Sequence, residues 1–224
     1  YGVNDLRLLA PLRGLASARM FEITQRRYAE TALLRSQEIV DSNPNSERTD
    51  RAQVLVDLGD FYTITSDKRG KETYLSAWAI LQETPGTQQL ASSLFDSPLR
   101  LYPRESPFLF LDRTPDGVTP GVELFADLQY DITSDGRVQG IEVIDKNVPN
   151  KGVRLLRQIF RASRYRPRIQ DGELVSTEAV QSRQLFAVLY KKPLPDNPQE
   201  APADPPIEPL LLLEEPPVEA APEA

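Results

Sequence analysis

Apolar residues recur at helical spacing from the start of the chain to about position 95. Leu6, Leu9, Leu12, Leu15 and Ala16 mark one stripe, and Tyr28, Ala29, Ala32, Leu33 and Ile39 a second. Steps of three and four residues put such side chains on one helix face, because the helix turns once every ~3.6 residues. Asn43-Pro44-Asn45-Ser46 interrupts the pattern, since proline lacks the amide hydrogen that a helix interior needs. Ala52, Leu55, Leu58, Phe61 and Tyr62 predict a third helix, and Tyr74, Ala77, Trp78 and Leu81 a fourth, with a turn at Asp67 to Gly70 between them. Thr84-Pro85-Gly86 ends the fourth, and Thr87 to Phe95 has room for one more short helix. Paired helices with proline between the pairs predict an αα-hairpin array.

The period changes at Val122. Val122, Leu124, Ala126, Leu128, Tyr130 and Ile132 alternate with Glu123, Asp127, Gln129 and Asp131, the mark of a half-buried strand running to Thr133. Asp135-Gly136 predicts a hairpin turn, because both residue types tolerate positive φ. The return strand, Arg137 to Ile144, has Val138 out of phase with Ile141 and Val143, and Gly140 is the expected bulge that restores register. After a polar loop from Asp145 to Gly152, Val153, Leu156, Ile159 and Phe160 predict a helix covering the apolar side of the sheet. A second Asp-Gly turn, Asp171-Gly172, opens a β-rich segment from Glu173 to Tyr190. Its end, Leu185 to Tyr190, is apolar on both faces, as in a strand buried on one side and covered or paired on the other.

Composition narrows the chemistry. There is no Cys and no His, which removes disulfides, thiolate metal sites, cysteine nucleophiles and the Ser-His-Asp arrangement. Asp, Glu, Tyr and Lys remain as acid-base groups. A glycosidase-like carboxylate pair stays open, but the acidic residues outside the helical part fall mostly on outer strand faces, in turns and in the tail. No phosphate loop or metal-ligand spacing is present, so no enzyme activity, no cofactor and no metal are expected. The net charge of −7 belongs to the tail: from Pro193 to Ala224 there are eight acidic residues, no basic ones and ten prolines. That composition predicts disorder or polyproline II, with Ile207 to Glu214 as a candidate short motif or an incidental leucine run. Three segments are therefore expected: helices over 1–96, an α+β domain over 97–192 and the tail over 193–224. No run approaches the roughly 18 apolar residues of a membrane span. The chain begins at Tyr1 rather than Met, which suggests that a signal segment, membrane anchor or cloning leader preceded it.

Leu58-Gly59 with Phe61-Tyr62 and Pro85 resembles the tetratricopeptide pattern, in which a small Gly lets two helices approach closely. Pro44 to Pro85 spans about 41 residues rather than roughly 34, and a generic helical bundle would give similar spacing. The second half resembles the C-terminal domain of TonB-family energy transducers in its ordered elements. These are Tyr102-Pro103, the strand at Val122 to Thr133, Asp135-Gly136, the strand at Arg137 to Ile144, the helix at Val153 to Arg161, Tyr165-Arg166-Pro167, Asp171-Gly172 and a final strand, Val180 to Tyr190. There are departures. Ser163 stands where the family usually has Trp. Glu105 to Gly121 is long and contains Phe108-Leu109-Phe110-Leu111, a candidate extra strand. Helices precede the domain and the proline-rich segment follows it, the reverse of the family's order. The fold class expected is α+β: tetratricopeptide-like helical hairpins, then a small two-layer TonB C-terminal-like domain with an antiparallel sheet.

The resemblance implies partner binding by strand addition along the last strand, at Gln184, Leu185, Phe186, Ala187, Val188, Leu189 and Tyr190, with the motif residues Tyr102, Pro103, Tyr165 and Pro167 nearby. The same edge could instead be interior or paired in a homodimer. Arg154, Arg157 and Arg161, with Arg164 after the helix, form a basic stripe. It is either a solvated face or a surface for an anionic partner such as lipid headgroups, cell-wall polymer or nucleic acid. The acidic tail could also fold back on it. The expectation taken forward is a periplasmic, non-enzymatic adaptor of the Gram-negative envelope, membrane-attached only through a preceding segment. Its partner would be a protein or peptide, such as an outer-membrane receptor or envelope complex, and not nucleic acid. The alternative is a scaffold whose TonB-like domain serves dimerisation or interdomain packing.

Overall fold

The computed structural model describes residues 2–102, 108–111 and 123–190, with the backbone alone for 108–111 and 187–190. Pro103, the 112–122 segment and the proline-rich tail lie outside the described residues, together with the expectations placed on them. The protein is α+β. After a 3-10 turn at Leu6–Leu8, five helices follow: α1 (Leu9–Arg19), α2 (Arg26–Ser42), α3 (Arg48–Thr65), α4 (Arg69–Glu83) and α5 (Gln88–Phe95). No described helix is long and apolar enough to cross a membrane. Two stripe residues face outward, contrary to expectation. Leu15 of α1 is exposed beside the buried Ala16, and Tyr28 is exposed because the buried face of α2 runs through Ala29, Ala32, Leu33, Ser36 and Val40, one position off it.

The pair α3–α4 packs at a glycine. An ideal Cβ on Gly59 would lie 2.5 Å from Cδ1 and Cε1 of the buried Tyr74 ring, so the helices touch where only hydrogen fits. Gly59→Ala is therefore expected to destabilise by about 1–2 kcal/mol, the overpacking cost outweighing alanine's better helix propensity. A lower urea midpoint at unchanged slope would register it. At the far end of α3, Ser66 is left-handed (φ 60°). Its amide donates to the Thr63 carbonyl while that of Asp67 donates to Tyr62 at 2.7 Å, a Schellman-type stop that turns the chain sharply into α4.

The strands are β1 (Leu99–Tyr102), β2 (Phe108–Leu111), β3 (Leu124–Ile132), β4 (Val138–Lys146), β5 (Arg164–Arg166), β6 (Arg168–Gln170), β7 (Glu173–Val175) and β8 (Thr177–Tyr190), with helix α6 (Asn150–Ala162) between β4 and β5. The main sheet has the order β2-β8-β3-β4. β3 is antiparallel to both neighbours, but β2 joins β8 in parallel, so the sheet is mixed rather than wholly antiparallel. β3 buries alternate residues under α6, and Leu124, Leu128, Tyr130, Val153, Leu156, Phe160 and Phe186 form that core.

Gly140 does carry a bulge. Gln129 pairs with Glu142 while Asp131 pairs with Gln139, and Gly140 has φ 62°. The slip lets Val138, Ile141 and Val143 all pack against the core. The two Asp-Gly turns differ. At Asp171-Gly172 both residues have positive φ (51° and 80°), the two-residue hairpin turn that joins β6 to β7. At Asp135-Gly136 only Gly136 does, at 77°. There the turn is wider: the Gly136 amide donates to Thr133, and the Thr133 amide to Arg137.

The two halves share their cores. Leu101 of β1 belongs to the cluster formed by α1, α2 and α3, and Ile169 of β6 to that of α3, α4 and α5. β1 itself pairs with β5. The chain between the halves is thus built into both, and 96/97 marks a change of secondary structure inside a continuous packing.

Candidate functional site

The expected partner strand is β8. From Thr177 to Phe186 it pairs with β3 on one side. On the other side only Ala187 to Tyr190 have a strand partner among the described residues, namely β2. So the C-terminal part of the expected edge is occupied, and the part without a second strand partner among the described residues lies upstream. A bulge at Ala179 (φ 53°), whose amide donates to Asp131 Oδ1 at 3.0 Å, interrupts the start. Val180 to Phe186 is the uninterrupted stretch. The opposite edge, β4, is broken twice, at Gly140 and beside Ile144, and bulged edges pair poorly with other chains.

Along β8 the side chains divide by face. Phe186 is buried beneath α6, whereas Leu185 is 40% exposed on the outer face, opposite Phe125. Beside them Arg183 grips Asp127 with two bonds, 2.8 and 2.6 Å, and lies 4.3 Å over the Phe125 ring. Its guanidinium holds the Asp127 carboxyl below the ordinary carboxylate range. With Ile144 also exposed, the outer face carries apolar side chains among fixed charges, a surface suited to an extended peptide.

The motif residues do not converge on this edge. Tyr102 stacks on Phe21 (5.8 Å, 15°) in the helical half. Tyr165 enters the sheet core, where its hydroxyl meets that of Tyr130 at 3.0 Å and burial raises its pKa. Pro167 lines a cavity between the halves. At Ser163, where the TonB resemblance leads one to expect Trp, the residue is fully buried. Arg100 of β1 fills this region, donating to Ser163 Oγ (3.2 Å) and Gln184 Oε1 (3.5 Å) with its guanidinium 4.7 Å over the Phe160 ring. This contact ties β1 to β8.

The basic stripe is also divided. Arg154, Arg157 and Arg161 are exposed along α6. Arg164 has left that face for the seam between the halves, beside Arg137, Lys68 and Lys71.

A buried ion pair, for which the sequence raised no expectation, joins α3 to β5. Arg166 binds Asp60 of α3 through Nε–Oδ1 (2.9 Å) and Nη2–Oδ2 (2.7 Å), the Tyr74 hydroxyl donates to the same Oδ1 at 2.8 Å, and Arg166 Nη1 reaches the Leu94 carbonyl at 3.4 Å. The Arg166 side chain is 6% exposed and that of Asp60 16%. Burial pushes the Asp60 carboxyl up, opposed by the guanidinium and the tyrosine. The same burial, with Asp60 beside it, raises Tyr74 well above its usual value and keeps it a donor. The sequence signal was a lone carboxylate inside the apolar run Leu58 to Ile64, but nothing local names its partner. Among the described residues no group of three or more acidic side chains could hold a metal ion. Against models of known families and against curated proteins, the chain matches none.

Proposed function

We propose that this chain is a non-enzymatic, periplasmic protein-binding adaptor of the Gram-negative cell envelope that assists TonB-dependent transport across the outer membrane. In this reading a TonB C-terminal-like sheet takes an extended partner segment along Val180 to Phe186, and tetratricopeptide-like helices offer a second surface. The observation that carries it is the side of β8 upstream of β2 that has no strand partner among the described residues. An added strand would gain main-chain hydrogen bonds there and set alternate side chains against Leu185 and Phe125. The test is a photo-reactive residue in place of Leu185, cross-linked in intact Gram-negative cells. Capture of an outer-membrane receptor or an envelope protein is expected. Capture only of a second copy of the chain would replace this reading with dimerisation. The scaffold reading has its own support in the cores shared through Leu101 and Ile169, and it gains if Leu185 captures nothing.

A further inference from the structure

The end of α3, the start of α4, the β3–β4 turn and the chain from Arg164 to Pro167 enclose a cavity of about 290 Å3. Its charges do not balance. Of the cations around it, Arg137 has Asp135 at 2.9 Å. Asp67, the other carboxylate of the lining, is engaged by Arg69 at 2.7 Å, and Arg69 also binds Glu30 at 2.9 Å. Lys68, Lys71 and Arg164 have no carboxylate partner among the described residues. Arg164 is nonetheless held in place by neutral acceptors. Nη1 donates to the carbonyls of Ser163 (2.9 Å), Ala162 (3.3 Å) and Arg161 (3.5 Å), and Nε and Nη2 both donate to Ser66 Oγ at 3.3 Å. Ser66 is the left-handed residue that ends α3.

Two further observations show a place short of negative charge. Burial, and then the charge of Arg137, lower the pKa of Arg164, and the nearby Asp135 offsets them only in part. Lys68 and Lys71 flank the start of α4, a 15-residue helix whose dipole disfavours cations at that end. These features agree in sign and converge on one space.

We propose that this cavity is a phosphate-binding site, with Arg164 at its floor and Lys68, Lys71 and Arg137 at its rim. Three cations without carboxylates match a multiply charged tetrahedral oxyanion better than one carboxylate, which would leave two of them uncompensated. Nη2 of Arg164 has one N–H beyond its bond to Ser66 to donate to a phosphate oxygen, while the lysines act as mobile point charges. The volume admits a phosphate with a small organic group. The site lies at the β3–β4 turn, at the other end of the β3–β8 pairing from Phe186, and its proposal is independent of the strand-addition reading.

The experiment is calorimetric titration of the full chain with inorganic phosphate and with glycerol 3-phosphate, beside chloride at equal ionic strength. Saturable binding of phosphate is expected. Tighter binding of the ester assigns a phosphorylated small molecule or headgroup, and equal binding assigns the free ion. Replacing both rim lysines (Lys68→Gln with Lys71→Gln) should weaken binding by tenfold or more, about a decade per 1.4 kcal/mol. Without phosphate the same variant should melt no lower than the parent, since unpaired cations leave the start of a helix. Arg164→Gln should abolish binding, and the lysine pair keeps the test valid if loss of the α6 carbonyl contacts unfolds that variant. Phosphate binding no tighter than chloride, or unchanged in the lysine variant, would overturn the proposal.

Discussion

Asp60→Ala is expected to lower stability by about 3–5 kcal/mol, among the largest losses of any single substitution. The reason lies with the partner left behind. Arg166 is 6% exposed and lies toward the Phe95 ring at 6.0 Å, so its guanidinium cannot turn to water without opening the seam between α3 and β5. Tyr74 would lose its acceptor in the same step. Replacing both partners by apolar residues of similar size, Asp60→Leu with Arg166→Met, should recover most of the loss, because no charge then stays buried unpaired. Urea unfolding of the two single variants and the double variant gives the coupling energy directly. If Asp60→Ala costs under about 1 kcal/mol, the range of exposed pairs, the contact is not what joins the halves.

Gly136→Ala should be comparably severe, at about 3–5 kcal/mol from a left-handed backbone and a steric clash together. The φ there is 77°, and an ideal Cβ would stand 2.0 Å from the Tyr165 carbonyl oxygen, a backbone atom with little room to move. The Tyr165 amide donates to the Gly136 carbonyl at 2.9 Å, so the turn is pinned to β5 and any shift is passed to Arg166 beside it. The expected signature is a lower thermal midpoint together with loosened contact between the halves, read as faster amide exchange at Tyr165 and Arg166. Equal protection in parent and variant would show that the turn is free of β5.

Both predictions concern contacts between residues far apart in sequence, and this is where reading the chain alone stops. Periodicity located the helices and the β3–β4 hairpin because each is set by spacing within a single element. Even the Gly140 bulge was visible, since Val138 was out of step with Ile141. Gly59 was legible as a close approach, though not that Tyr74 is what it approaches. The missed features share a cause. β1 pairs with β5 some sixty residues away, β2 lies parallel to the end of β8, and Asp60 meets Arg166 across the seam. A four-residue strand or one carboxylate has no pattern of its own; its place is decided by which surfaces remain to be covered.

The candidate site divides along the same line. The alternation of strand positions and the apolar end of β8 made it the expected partner strand, but which part lacks a strand partner among the described residues depends on where β2 ends. Arg164 belonged to a basic run in the sequence, and a change of direction after α6 took it from that run to Ser66 and the lysines of α4. The sequence by itself determined the helices, the β3–β4 hairpin and the basic run that holds Arg164, because these follow from neighbours within one or two turns. Only the tertiary structure decided which part of β8 lacks a second strand partner and which cations lack a carboxylate among the described residues, because both depend on long-range packing that buries some groups and strands others.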